Sequence, residues 1–393
     1  MKKIRCSGSL VRLSVIAALA LSVPAMAQAP IRIGMTTSQS GPYDTQGMPV
    51  RNGYLLCEKH VNERGGLLGR RVEFLIRDDQ SDTTRAPVLY EKLIAEEKVD
   101  AVLGPYGSPL TASVAPIVEK HRKIMLAPLA ATSSIWEKGR RYIVMQLGPS
   151  ELFLAGLIDL AARHGLKTVA LVSEDTIFPR SAAKGTIDLA RKNGLEVVLT
   201  EEYAKGSQDF TAVLAKIKAI NPDVLGIASA NLTDFIAFAR QMKERDVNIK
   251  MFGTTTAVAE FQQALGKAAE FAYGASPWEP SVPYPGVKEF VDAYQKEFHK
   301  PPSLHAAGAY AGCHLFMEAA RRAGSVDSER VREQLLKLKT TTIFGDYAVD
   351  DRGYQIANKG LLVQWQDGQK VVVWPDRFAT AKPRLPTPVW NQR

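Results

Sequence analysis

Cysteine is scarce in this 393-residue chain, with only Cys6, Cys57 and Cys313. No Cys/His cluster has metal-ligand spacing and the six histidines are scattered, so neither a metal centre nor any other cofactor is expected. Long apolar runs are also missing. The apolar run over 13–23 is well short of the roughly 20 residues needed to cross a bilayer, which argues against a membrane anchor. Dense Lys/Arg blocks and basic-aromatic alternation are absent, so a nucleic-acid partner is not expected. Catalytic signatures are equally thin. There is no P-loop and no complete Gly-x-Gly-x-x-Gly site, and around Ser108 a Gly-x-Ser-x-Gly elbow is broken by Tyr106 and Leu110. The acid pair Asp78-Asp79 reads as a solvated strand terminus rather than an acid/base or cation site.

What is present starts with an export signal. Lys2, Lys3, Arg5 and Arg12 form a basic stretch without acids, the apolar run follows, and Ala25-Met26-Ala27 supplies small residues for cleavage, expected after Ala27. Cys6 precedes the apolar core, so no lipid anchor is expected and the mature chain should be free in the periplasm. Cleavage removes four positive charges, which takes the formal net charge from +9 to +5. Of the cysteines, Cys57 and Cys313 remain. The compartment permits a disulfide between them, while the stripe Val50, Tyr54, Cys57, Val61 suits a buried free thiol equally well; both readings stay open.

At this length two lobes are expected rather than one core. Strands are predicted over 31–34, 72–77, 99–103, 124–127 and 142–146, with helices over 49–63, 84–96 and 111–121. Near Gly148-Pro149 the pattern starts again, with strands over 169–172, 196–200, 224–228 and 251–253 and helices over 151–163, 181–193, 210–219 and 233–246. Strand-helix alternation of this kind means parallel sheets covered on both faces. After Tyr273 the rhythm breaks at Ser276-Pro277-Trp278-Glu279-Pro280. Helices over 286–298, 305–323 and 328–338 follow, then a hairpin across Asp367-Gly368 and an irregular tail from Pro375. The fold class is therefore α/β, with two doubly wound Rossmann-like lobes. Ligands of open α/β sheets sit beyond the carboxyl ends of the strands, which places the site in the cleft between the lobes.

The loops at those strand ends carry recognisable segments in order: Ser40-Gly41-Pro42, residues 62–70 (Asn-Glu-Arg-Gly-Gly-Leu-Leu-Gly-Arg), Asp78-Asp79, Gly104-Pro105, Ala130-Ala131-Thr132, Pro277-Trp278-Glu279-Pro280 and His305-Ala306-Ala307 to Tyr310-Ala311. With them the chain resembles the leucine/isoleucine/valine-binding family of periplasmic solute-binding proteins of ABC transporters, the type I periplasmic binding protein fold. The resemblance implies a hinge of three crossings, near Gly148, Ser276 and Phe344. Lobe I would be 28–147 plus 277–343, lobe II 148–276 plus 344–374, and 375–393 the tail.

The resemblance also implies a site. Ser108 and Thr132 match the hydroxyls that hold a ligand carboxylate, with Tyr106, Gly107 and Ala130 beside them. Ser133 could replace Thr132, because the loop over 127–132 is one residue longer than usual. A Ser108 hydroxyl at a helix start suits an anion, and equally a plain N-cap. Gln46, Phe178, Ala230 and His305 match other ligand contacts, and Trp278 lies near the cleft or braces the crossover. One position departs from the pattern. Family members that bind amino acids carry an acid where this chain has Thr255, and a buried ammonium without a carboxylate is costly. An amine-free, aromatic carboxylate is therefore expected, unless Asp175 or Glu174 supplies the missing charge for a branched-chain amino acid. The expected partner is a membrane permease served by a monomer; a ligand sensor for a membrane receptor and a periplasmic hydrolase are the alternatives.

Overall fold

Short runs dense in Ile, Val and Leu form the strands over 101–103, 125–127, 143–145 and 224–228, whose side chains are buried on both faces, as helix-covered parallel sheets require. The structure, a computed structural model, describes Met1, Lys3 and residues 28–393. Apart from Met1 and Lys3, the expected leader with its cut after Ala27 lies outside them.

The first lobe runs β1 (Ile31–Thr37), α1 (Asp44–Glu63), β2 (Val72–Asp78), α2 (Arg85–Glu91, continued by a π turn at Lys92–Glu96), β3 (Ala101–Leu103), α3 (Ser108–Lys120), β4 (Met125–Ala127) and β5 (Ile143–Met145). Its five strands are parallel, in the order β2-β1-β3-β4-β5. The second runs α4 (Ala155–Arg163), β6 (Thr168–Glu174), α5 (Ile177–Lys192), β7 (Glu196–Tyr203), α6 (Thr211–Ile220), β8 (Val224–Ala228), α7 (Leu232–Glu244), β9 (Met251–Thr254), α8 (Ala259–Leu265) and β10 (Tyr273–Ser276). The chain then forms α9 (Val287–Phe298), α10 (Leu304–Ala323), α11 (Ser328–Lys337), the small hairpin β11 (Thr340–Thr342) with β12 (Gly345–Tyr347), and the long hairpin β13 (Leu361–Gln366) with β14 (Gln369–Trp374). The last hairpin extends the second sheet antiparallel, giving the order β14-β13-β10-β9-β8-β6-β7.

The helices α9, α10 and α11 return to the first lobe. Gly53 of α1 faces Ala306 of α10 so closely that a Cβ there would lie 2.3 Å from the Ala306 carbonyl oxygen. Cys57 and Cys313 form a disulfide across the same two helices, with Cα atoms 6.3 Å apart, which settles the question the sequence left open.

Three passages connect the lobes. Gly148-Pro149, Ser276-Pro277 and Asn358 to Gly360 meet around one small cavity. A Cβ on Gly148 would sit 2.7 Å from the Asn358 carbonyl oxygen, so two passages touch where only glycine fits. The third passage falls downstream of Phe344, because the intervening residues still hold the first lobe: Met145 N–H donates to Gly353 O at 2.8 Å and Gln355 Nε2 donates to Gln146 O at 2.9 Å.

Other differences from the sequence reading have local causes. The helix expected from Pro49 begins at Asp44 and carries Pro49 within it. Asp79 is fully buried, not a solvated terminus. It accepts hydrogen bonds from Thr36 Oγ1 (2.7 Å), Ser38 Oγ (2.6 Å) and the Ser81 amide (3.0 Å), so it ties β1 to the loop after β2. Residues 375–393 form two short 3-10 turns and otherwise irregular backbone, docked on lobe II through Thr387 N–H to Lys250 O and Trp390 Nε1 to Val247 O, both 2.8 Å. Among the described residues, no helix is long and apolar enough to cross a membrane.

Candidate functional site

The parallel strands of both sheets aim their carboxyl ends at one cleft, and the loops there border a small cavity. Lobe I contributes Tyr43 ahead of α1, residues 106–109 after β3, Leu129 and Ala131 after β4, Leu147 after β5, and Leu304 and His305 at the start of α10. Lobe II contributes Phe153, Phe178 after β6, Ala230 after β8 and Thr256 after β9, with Pro277 from the hinge.

Ser108 is the first residue of α3, behind Gly107, whose φ of 77° lets the chain turn sharply into the helix. Its hydroxyl is not an N-cap. Ser108 Oγ accepts the amides of Ala131 at 3.0 Å and Thr132 at 3.2 Å, so the hydroxyl hydrogen is left to donate toward the cavity it borders. The hydroxyl of Thr132 is buried without a partner. The Ser108 hydroxyl and the positive end of a 13-residue helix thus meet at one corner of the cavity, a setting that suits an anion.

Aromatic rings form the walls. Tyr106 packs edge-on against Tyr43 (5.6 Å between centroids) and His305 (5.2 Å), and Phe178 packs edge-on against Phe153 (5.2 Å). Burial, with Lys370 adding, pushes His305 down to about 3, so its ring is neutral near pH 7. Among the described residues, none bordering the cavity then carries a charge at that pH. The lobes are closed on each other: Tyr106 Oη is 3.5 Å from Ala230 O, and Lys205 Nζ is 5.8 Å from the centre of the Tyr43 ring.

The structure therefore brings Tyr106, Gly107, Ser108, Phe178, Ala230 and His305 to one cavity, and places other predicted residues differently. Ala130 and Thr132 lie just behind the wall, where Ala131 takes the bordering position. Gln46 is buried in α1 and accepts the Thr45 hydroxyl at 2.8 Å. Thr255 Oγ1 braces Ser229, accepting its amide and donating to its carbonyl at 3.2 Å each, while Thr256 faces the cavity. Trp278 is buried against Phe290 at the crossover.

The two acids considered as replacements for the missing charge part company. Asp175 is exposed and accepts the Lys205 amide at 3.0 Å. Glu174 is fully buried behind Ala230; its Oε2 has contacts of 3.4 Å from the Ala230 amide and the Ser229 and Thr176 hydroxyls, and its Oε1 has no partner. Burial raises its pKa, nearby Asp234 adds to this, and the Ala230 amide, Lys205 and Thr176 oppose it. Sequence reasoning missed Tyr43 and Phe153, although Tyr43 directly follows the Ser-Gly-Pro loop that carried part of the resemblance.

Comparison with known proteins agrees with this fold. A family described as periplasmic binding protein matches residues 30–370. A Leu/Ile/Val-binding protein homologue of Brucella suis is 25% identical over 96% of this chain and 99% of its own length. Among solved structures, a leucine-binding protein of Thermotoga maritima superposes with a TM-score of 0.80 at 22% identity, covering 87% of this chain and 97% of that one. An ABC-transporter solute-binding protein of Rhodopseudomonas palustris, solved with 3,4-dihydroxybenzoic acid, gives 0.74 at 23% identity, covering 87% and 95%. With matched residues spanning both lobes and all three passages of the hinge, this chain belongs to the periplasmic binding protein family.

Proposed function

We propose that this protein is the ligand-capturing component of an ABC importer, and that it takes an amine-free carboxylate with an aromatic or apolar body. The observation that carries the reading is the cavity itself: a corner built for an anion at Ser108, aromatic walls from both lobes, and no charged side chain on its border. Ser108 and the start of α3 receive the carboxylate first. Closure about the three passages then brings Phe178, Phe153, Ala230 and Thr256 over the ligand body, so ligand selects the closed state by touching both halves. The closed pair of lobes is what a membrane permease would recognise, in the periplasm that the export signal implies. A binding role is supported by the match to the periplasmic binding protein family and by the neutral His305 packed against Tyr106.

Relatives and neighbours of this chain bind both kinds of ligand, amino acids and aromatic acids. The buried Glu174 carboxyl is the observation that favours the second reading, an amino acid. Mass spectrometry of small molecules released by denaturing the purified mature protein, with a thermal-shift panel of acids and amino acids, separates the two. An amine-free aromatic acid that raises the melting temperature supports the proposal. A panel in which only branched-chain amino acids do so overturns the ligand class and keeps the clamp.

A further inference from the structure

Glu279 is a buried acid whose charge is met from the opposite lobe. It follows the Ser276-Pro277 passage and belongs to lobe I. Its neighbour Trp278 packs edge-on against Phe290 of α9 with 5.8 Å between centroids, and its own carbonyl oxygen accepts the Val282 amide at 3.1 Å. Lys370 belongs to lobe II, on β14, where it pairs with Trp365 of β13. Its Nζ lies 2.7 Å from Glu279 Oε1 and donates to the carbonyl oxygen of Ala257, beyond β9, at 3.1 Å. The glutamate side chain is 6% exposed and the lysine side chain 23%. We infer that Lys370 and Glu279 are a positioning pair, an interlobe latch completed when the lobes close, which fixes lobe II over the ligand without touching it. The inference rests on the clamp reading above.

The two groups are anchored to different bodies. The second sheet and Ala257 hold Lys370, while the packing of Trp278 on α9 holds the backbone of Glu279. Rotation about the three passages moves one anchor against the other and lets water reach both charges. On closing, both lose that water, and their attraction offsets the loss only while both are present. Among the described residues Glu279 has no other ion-pair partner, so removing Lys370 leaves a buried charge unmet in the closed state alone. The latch stands just behind the cavity. Lys370 is near enough to His305, on the cavity border, to help depress its basicity, and Ala257 directly follows Thr256, also on the border. Neither Lys370 nor Glu279 borders the cavity, so an affinity change on substituting them reports closure and not a lost ligand contact.

The test compares the mature protein with Lys370→Met, Glu279→Gln and the double variant. The probes are benzoate, 3-phenylpropanoate, leucine and isoleucine, and the one that wild type binds most tightly carries the comparison. By titration calorimetry, Lys370→Met should weaken that probe about ten-fold or more, because it strands a buried carboxylate. Glu279→Gln should weaken it less, since Lys370 is partly exposed and keeps the Ala257 carbonyl. The double variant should return to within about three-fold of wild type, because no charge is left to bury. Without a probe the lobes can open and hydrate both groups, so the melting temperatures should move by about 3 °C or less, as for an exposed pair. Affinity within about two-fold of wild type in Lys370→Met, or a loss that persists in the double variant, overturns the inference. So does a probe-free melt that falls further than that in Lys370→Met and recovers in the double variant, which would place both residues in one rigid body whether or not a probe binds. Small-angle scattering separates the underlying reading: a wild type that does not become more compact when saturated with its probe overturns the clamp itself.

Discussion

The side-chain oxygen of Ser108 accepts the backbone amide of Ala131 at 3.0 Å, tying the first residue of α3 to the loop after β4. One hydroxyl therefore does two things: its oxygen fixes the loop, and its hydrogen is presented to the ligand. Ser108→Ala should weaken carboxylate binding by about 1.5–3 kcal/mol, or about 10- to 150-fold, the worth of a hydrogen bond to a charged group. It should also lower the melting temperature, because the Ala131 and Thr132 amides lose their acceptor. Calorimetry and thermal melts read the two effects separately. Unchanged affinity with a lowered melting temperature would leave Ser108 only its bracing role.

The Cys57–Cys313 bridge closes a separation of 256 residues and is buried at both ends. Cys57→Ala with Cys313→Ala should cost about 2–5 kcal/mol of stability. Cys57 lies 13 residues beyond Asp44, the start of α1, about 20 Å along the helix from the cavity end. Ligand affinity should therefore stay within about two-fold, the change expected when a mutation touches no site contact. Urea unfolding of wild type and variant, with calorimetry alongside, checks both statements.

The strands most legible in the sequence were those whose apolar runs end at turn residues. The 224–228 strand has the bounds expected of it, and the final hairpin turns at Asp367-Gly368. By contrast, Tyr273-Gly274-Ala275-Ser276 has no β-branched residue and becomes strand β10 only because β9 and β13 pair with it on either side. Within the site, Ser108 could be read from its loop because a strand end and a helix start meet there. Thr255 and Thr256 could not be told apart, since neighbouring residues of an extended segment point to opposite sides and one step of register exchanges them. Tyr43 had no local signature, because its partners across the cleft belong to lobe II. Asp79 looked solvated because Thr36 and Ser38, which bury and satisfy it, lie more than 40 residues away.

His305 predicts a pH dependence. Its pKa falls from the ordinary 6.5 to about 3 in the folded chain, first through burial and then through Lys370. Between those values the unfolded state binds the proton that the folded state refuses, so this histidine's contribution to stability is complete above pH 6.5 and is lost as pH falls toward 3. The slope approaches about 1.4 kcal/mol per pH unit. Asp79 and Glu174, raised by burial, act in the opposite sense, so the wild type alone mixes the effects. Denaturant unfolding of wild type and His305→Gln from pH 7.5 to 4.5 cancels them. The wild type should lose stability more steeply than the variant, by up to one proton's worth, and parallel curves would remove His305 from the acid response.

The adjacent threonines at the end of β9 should divide stability from binding. Thr255 Oγ1 holds the amide and carbonyl of Ser229, whose own hydroxyl bonds Asp234 at 2.7 Å, so Thr255 keeps the loop that carries Ala230 in place. Replacing it by valine leaves a buried amide without an acceptor, which costs about 1–3 kcal/mol. Thr256 borders the cavity instead, and it is its backbone oxygen that accepts Thr254 Oγ1 at 2.9 Å, a bond any residue there would keep. Thr255→Val should therefore lower the melting temperature and change affinity only through the shifted Ala230 loop. Thr256→Val should leave the melt almost unmoved and alter affinity directly, weakening ligands that bond its hydroxyl and favouring those that meet it with carbon. Thermal melts and calorimetry on the two variants decide the matter; the reverse pattern would return Thr255 to the ligand wall, where the family resemblance first put it.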